Sequence, residues 1–309
     1  MSIDVAPEDS HIPLGVSECP IAPIAVRCFG TFEVRHDDRL LDPAAGERST
    51  YKAWELLAFL AASPPGPFAR DTLIDWLWRD RPFNARRPAN ALNHAVSRLR
   101  QALRTQVPGL PGDIIRVGRD GTYRLNEQLI ASDTHRFLSL AGAWKRLTLE
   151  EALVSHREAF ALYREELLVG SGYTWLDDPR EGAKQLPALY EAAARDFSLG
   201  LARRCVREGR NDAAEPLYRR LLGDEPTRED LARELYGVYG ALGDRRALVR
   251  AHRALLQALR DDVDQELTGD IGNEYEPSEV TVETYRQVLA SLDHPVTRHR
   301  LANYGRRTV

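Results

Sequence analysis

The sequence predicts a mainly α-helical protein, with an α+β domain at its N-terminus and an all-α domain of helical repeats behind it. Three observations support this prediction. Strand-like runs flank three amphipathic helices within 24–130, a helical pattern recurs at an interval of 34 residues further on, and the net charge changes sign between the two regions. A chain of 309 residues is long enough for two domains of ordinary size.

The charge is unevenly distributed along the chain. Residues 24–130 contain 16 basic and 12 acidic residues, a net charge of +4, whereas 131–292 contain 22 basic and 29 acidic residues, a net charge of −7. A basic module joined to an acidic one is typical of a nucleic-acid-binding domain followed by a partner-binding domain. We expect 1–23 to be a flexible leader and 293–309 to be a basic, disordered tail.

The N-terminal region is predicted to contain two strands and then three helices. IAVRCFGTFEVR (24–35) gives the strands around Gly30, and the polar segment HDDRLLD predicts a turn. Helical spacing of apolar residues follows in STYKAWELLAFLAAS and in ARDTLIDWLWRDRP, with a Pro-Pro-Gly-Pro run between them. The third helix is predicted to start near Pro88 and to run through ANALNHAVSRLRQALR.

A β-hairpin is predicted behind the third helix. Asp120-Gly121 lies between the strand-like runs IIRV and TYRL, and this is a strong hairpin signal. Strands, three helices and a hairpin are the parts of a winged helix-turn-helix, in which the third helix reads DNA and the hairpin is the wing. We therefore predict a winged helix-turn-helix DNA-binding domain over 24–130.

The third helix is predicted to carry the base-reading surface. At 100° per residue its apolar residues form one stripe, made of Leu92, Val96, Leu99 and Leu103. The opposite side has no carboxylate and is rich in side chains that pair with base edges or phosphates, whereas an ordinary solvated face usually mixes Glu with Lys. We expect six side chains to enter the major groove: Arg87, Asn90, Asn93, His94, Ser97 and Arg98.

A second set of residues is predicted to hold the DNA backbone. Cations beside a reading helix and in a wing contact phosphates, and such contacts add affinity and salt dependence rather than sequence choice. The set lies at the start of the first helix, around the third helix and in the hairpin: Lys52, Arg86, Arg100, Arg116, Arg119, Thr122 and Tyr123.

From about Ser132 onward the sequence predicts helices only. REGRNDAAEPLYRRLL (207–222) aligns with GALGDRRALVRAHRALL (240–256) at an offset of 34 residues, which matches Gly209 with Gly243. A helix-turn-helix period of 34 residues is that of tetratricopeptide (TPR) repeats, whose stacks leave a concave groove that binds proteins. We therefore predict a TPR-like helical repeat domain over 131–292.

Other classes of protein find little support in the sequence. It contains no GxSxG, Walker A, HExxH or CxxC motif, so we expect no enzyme, no catalytic residues and no cofactor. Cys19, Cys28 and Cys205 are widely spaced and predict neither a disulfide framework nor a metal site. Because no run approaches 18 apolar residues and the N-terminus lacks the pattern of a signal peptide, we expect the protein in the cytoplasm.

These motifs resemble the winged-helix domain of OmpR-type regulators, in the variant found in the SARP family of antibiotic-pathway activators. The segments that carry the resemblance are FGTFEV, YKAWELLAFLA, ARDTLIDWLW, ANALNHAVSRLRQAL and GTYRL. Residues 131–292 resemble the bacterial transcriptional activator domain, through ASDTHRFLSLA, YREELLVGSGYTWLDDPR and EPSEVTVETYRQVL.

The resemblance implies a cytoplasmic activator with no cofactor and no membrane partner. It implies binding to double-stranded DNA at direct repeats in promoters, as side-by-side protomers that form a homodimer at least on DNA, and recruitment of RNA polymerase holoenzyme. The wing departs from the family, because Arg116 and Arg119 belong to a GRDG hairpin where a Pro-Gly-Tyr type of tip is common. The target preference of relatives is therefore not carried over.

Two other functions stay open at this point. The mostly acidic chain also suits a TPR-type interaction adaptor whose winged helix does not read DNA. The repeat groove also suits a regulator that senses a small ligand. Salt-dependent DNA binding separates a reader from an adaptor.

Overall fold

The computed structural model describes residues 22–43, 51–78, 87–176, 185–266 and 276–293. The predicted leader lies outside these residues except for positions 22 and 23, and the predicted tail lies outside them except for Asp293. The chain divides into two compact units. The first comprises most of the chain up to Asp133, and the second comprises the chain from Thr134 onward together with the short segments 29–31 and 62–64.

A four-stranded sheet begins the first unit. Its strands are β1 (Ile24–Arg27), β2 (Glu33–His36), β3 (Arg39–Leu40) and β6 (Ile130–Ser132), in the order β3-β2-β1-β6. β1 pairs antiparallel with β2 and parallel with β6. Ile24, Val26 and Val34 are buried, so alternate residues of β1 and β2 face the core.

Two of these strands differ from the sequence-based expectation. β3 lies inside the segment that was expected to be a turn, and β6 ends at Ser132, from which only helices were expected. Both strands have only two or three residues, which is too short for an alternating pattern to show. β3 forms because it folds back on β2 across a tight turn, and β6 forms because it pairs with β1, which lies about 100 residues earlier in the sequence.

Three helices and a hairpin complete the first unit: α1 (Tyr51–Ala62), α2 (Arg70–Leu77), α3 (Arg87–Gln106), and the hairpin strands β4 (Ile115–Val117) and β5 (Tyr123–Leu125). Phe68, which precedes α2, exchanges two backbone hydrogen bonds of 2.8 Å with Tyr123 and extends the hairpin by one bridge. Gly121, at the hairpin tip, has a φ of +79°, a left-handed conformation that glycine adopts without strain. The predicted winged helix-turn-helix is confirmed.

The second unit is helical. It contains α4 (Asp133–Ala143), which starts on the last residue of the first unit, a 3-10 turn (Trp144–Arg146), α5 (Leu149–Leu162), α6 (Gln185–Arg207), α7 (Asn211–Asp224), α8 (Glu229–Leu242), α9 (Arg245–Glu266) and α10 (Glu279–Asp293). α5 begins with a capping box, in which Thr148 and Glu151 each accept a backbone hydrogen bond from the other.

The 34-residue repeat corresponds to two consecutive helix pairs, α6–α7 and α8–α9. Equivalent positions have the same environment: Leu201 and Leu235 are buried in the first helices, and Leu221 and Leu255 are buried in the second. The matched glycines, at positions 209 and 243, have φ values of +78° and +72°, so a left-handed residue follows the end of each first helix within two positions. The arrangement fits the predicted TPR-like repeat.

A buried histidine lies in the second unit. The Nε2 atom of His156 on α5 lies 2.9 Å from the Ser198 hydroxyl oxygen on α6, and its ring centroid lies 4.3 Å from that of Phe160 and 5.0 Å from that of Phe197. Burial, and to a smaller degree the positive charge of Arg220, lower the pKa of His156 to about 4. The side chain is therefore neutral in the folded protein at neutral pH.

We expect His156 to make folding less favourable as the pH falls from about 6.5 to about 4. In this window the unfolded chain binds a proton that folded His156 excludes, so the free energy of unfolding decreases by up to about 3 kcal/mol. Above the window the histidine makes no pH-dependent contribution.

Urea unfolding at about pH 7, 5.5 and 4.5 measures this effect. The matched variant is His156→Gln, which keeps a hydrogen-bonding group near Ser198 but does not titrate. Its free energy of unfolding should decrease less with acidification than that of the wild type. Parallel decreases in both proteins would show that another group is responsible.

Candidate nucleic-acid interface

α3 has one buried side and one exposed side. The apolar stripe predicted from the sequence (Leu92, Val96, Leu99 and Leu103) is at most 4% exposed. The helix itself contains no Asp or Glu. Its exposed side presents five of the six predicted base readers to solvent: Asn90, Asn93, His94, Ser97 and Arg98. Such a face suits the edges of bases and the negatively charged backbone of DNA.

Two predicted contact residues cannot be placed with the others. Arg86 lies outside the described residues, and Arg87 is in the first turn of α3 with its side chain outside the described part. Both precede the exposed face along the sequence. Their contacts with DNA stay predictions.

Asn93 lies where α2, α3 and the wing meet. Its Oδ1 atom is 3.5 Å from the Arg70 guanidinium at the start of α2 and 3.5 Å from the Tyr123 hydroxyl on β5. Tyr123 itself is buried, which favours a role in positioning Asn93 over direct contact with a phosphate. Arg70 was missed in the sequence analysis, because nothing in its local pattern marks a contact with a residue 23 positions away.

Two of the predicted phosphate contacts have partners inside the first unit. The Lys52 Nζ atom donates to the carbonyl oxygen of Leu77 at 2.6 Å and lies 2.7 Å from the buried carboxylate of Glu55. Arg100 donates to the carbonyl oxygen of Ile115 at 3.0 Å. These bonds join α1 to the end of α2 and α3 to β4, so both cations help to position the interface. Their contacts with phosphates stay predictions.

The tip of the wing carries exposed cations around one carboxylate. Asp120 accepts hydrogen bonds from the hydroxyl and the backbone N–H of Thr122, at 2.8 and 3.2 Å, and these bonds lower the pKa of Asp120. Arg119 is exposed beside it, and Arg116 is exposed and donates to Gln128 at 2.8 Å. The wing therefore presents positive charge on a tip that Asp120 helps to shape.

Another charged cluster lies further along α3. Arg104 donates to one carboxylate oxygen of Asp113 at 2.9 Å, and Arg100 lies 3.4 Å from the other oxygen. The sequence analysis missed both Arg104 and Asp113. Arg104 follows Ser97 by seven residues, a spacing that places both on one side of a helix and would have indicated it. The position of Asp113 depends on the fold of the segment between α3 and β4.

Among the described residues, no group of three or more His, Cys, Asp or Glu side chains could bind a metal ion. Cys28 and Cys205 are buried thiols. Within the described ranges, no helix combines the length and the apolar character that crossing a membrane requires.

Comparison with known proteins agrees with this geometry. Residues 47–125 match the family described as transcriptional regulatory protein, C terminal. The chain is also similar to the solved structure of Mycobacterium tuberculosis EmbR in complex with a low-affinity phosphopeptide. The TM-score is 0.53 and the sequence identity 20%, over 92% of this chain and 69% of that chain. No curated protein matches the sequence significantly.

These matches confirm the predicted resemblance at two levels. The family match shows the OmpR-like winged helix, and the likeness to EmbR shows that the fold is shared over most of this chain. The family match favours a regulator over an enzyme. Residues 47–125 thus form the winged-helix domain of a DNA-binding transcriptional regulator.

Proposed function

We propose that this protein is a sequence-specific transcriptional activator that reads promoter DNA with the exposed side of α3. The observation that supports this most is the exposed, acid-free face opposite the buried leucine stripe. Asn pairs with adenine and Arg with guanine through two hydrogen bonds each, in the major groove. The proposed base readers are Arg87, Asn90, Asn93, His94, Ser97 and Arg98.

The proposed backbone contacts surround this face. Arg116, Arg119 and Thr122 on the wing, and Arg86 before α3, would contact phosphates and set the register of the domain on the duplex. Lys52 and Tyr123 would act chiefly by holding α2, α3 and the wing in place, since each has a partner within the unit. Arg100 would contact a phosphate from a position that its hydrogen bond to the Ile115 carbonyl maintains.

We place activation in the helical repeats. Protomers would bind side by side on direct repeats in the cytoplasm, as a homodimer on DNA, and recruit RNA polymerase. A cleft of about 440 Å³ between α7, α8 and α9 supports a protein partner there. It is lined by apolar side chains such as Leu222, Leu235 and Tyr239, and by Arg219 and Arg250.

Selection of genomic DNA fragments by the full-length protein tests the proposal. Fragments retained at about 150 mM salt, where weak non-specific contacts are largely lost, are sequenced. The proposal predicts pairs of short direct repeats about one helical turn apart, and higher transcript yield from those promoters when the protein is added to RNA polymerase holoenzyme. Folded protein that enriches no sequence would favour an adaptor. Enrichment without a rise in transcription would contradict activation.

We expect Asn90→Ala and His94→Ala to weaken binding to the selected site more than binding to random DNA. The loss of a base contact should cost about 1–3 kcal/mol on the selected site only. Titration of both duplexes at one salt concentration measures the difference. An equal loss on the two duplexes would remove these residues from base reading.

Arg119→Ala should behave differently, because a phosphate contact is independent of sequence. We expect it to weaken binding to both duplexes alike and to make the slope of log affinity against log salt shallower by about 0.9. The matched control is Arg207→Ala, which removes one exposed arginine from α6 of the second unit. A slope equal to that of the control would exclude the contact.

A further inference from the structure

We propose that Arg104, together with Arg100, binds a phosphate of the DNA backbone, and that Asp113 is an internal counter-ion that competes with this phosphate. The inference rests on the proposed function, because it assumes that α3 enters the major groove. It adds a contact residue beyond the predicted set and identifies a carboxylate that limits DNA affinity.

The first observation is an open polar cleft along the C-terminal half of α3. Its volume is about 470 Å³. Five of its lining residues come from α3 and the sixth from the segment before β4: Ser97, Arg100, Gln101, Arg104, Thr105 and Asp113. Because Ser97 also belongs to the predicted base-reading face, the cleft continues that face toward the end of the helix.

The second observation is the distance along the helix. At a rise of 1.5 Å per residue, Arg104 lies about 10 Å beyond Ser97 and about 15 Å beyond His94. The major groove is about 12 Å wide, so a helix that reads bases near its middle has its next turns beside the sugar-phosphate wall. The position of Arg104 therefore suits a phosphate and not a base edge.

The third observation is that the cleft already holds an oxyanion. The two oxygens of Asp113 lie 2.9 Å from Arg104 and 3.4 Å from Arg100. A carboxylate and a backbone phosphodiester each present two oxygens that share one negative charge, and both are strong acceptors for guanidinium groups. Ser97, Gln101 and Thr105 supply further polar groups at the same surface.

The exposure of these three side chains indicates how a phosphate could replace Asp113 beside Arg104 and Arg100. The side chains of Arg104 and Asp113 are 63% and 42% exposed, so their pair is hydrated and contributes little to stability. Arg100 is 29% exposed and also donates to the Ile115 carbonyl, which keeps it in place when Asp113 turns away. Asp113 thus weakens binding to any duplex, whatever its sequence.

Salt titrations of the full-length protein test the inference, on a random duplex and on the selected site. Asp113→Asn should bind both about threefold or more tightly, with a salt slope steeper by up to about one. Arg104→Gln should bind both more weakly, with a slope shallower by about one. The matched control, Asp75→Asn, makes the same charge change at an exposed position of α2 and should change affinity much less.

The outcomes separate this inference from the function on which it rests. If the wild-type protein shows no salt-dependent DNA binding, both the proposed function and the phosphate contact are overturned. If the wild type binds DNA but folded Asp113→Asn has unchanged affinity, the inference alone is overturned. The same holds if the effect of Asp113→Asn is no larger than that of Asp75→Asn. If Asp113→Asn does not fold, Arg104→Gln decides: an unchanged salt slope would exclude the phosphate contact.

Discussion

Burial of the apolar stripe on α3 is the constraint on which the candidate interface depends. Leu92, Leu99 and Leu103 are completely buried, and burial of a leucine side chain contributes roughly 1.5–3 kcal/mol. Because these residues recur every three or four positions, burying them determines the rotation of α3 about its axis. That rotation exposes the polar residues opposite, and a helix turned by half a turn would present leucines to DNA.

The basic residues of the first unit divide into two groups by their contacts. Lys52 and Arg100 donate to backbone carbonyls and lie beside the acids Glu55 and Asp113, and so they connect secondary-structure elements. Arg119, on the wing, is exposed. A modest net charge is therefore compatible with DNA binding, since α3 and the hairpin both carry exposed cations, among them Arg98, Arg104 and Arg119. Position matters more here than the total charge.

Local sequence patterns predicted the elements in which apolar residues recur with the period of the structure that they form. The three helices of the first unit and the 34-residue repeat were found because burial of one face leaves a periodic mark in the sequence, and the hairpin was found from its Asp-Gly turn. β6 and the bond between Lys52 and Leu77 left no such mark, because their partners lie elsewhere in the chain. The exposed face of α3 was predictable from its own residues, whereas the pairing of Asp113 with Arg104 depends on how the chain returns from α3 toward β4.

Methylation interference on a selected promoter site would show whether α3 reads base edges in the major groove. Methylation at guanine N7 blocks the major groove, and methylation at adenine N3 blocks the minor groove. We expect N7 methylation at guanines within each repeat to prevent binding. Interference confined to adenine N3, or none at any base, would show that α3 does not read DNA in this way.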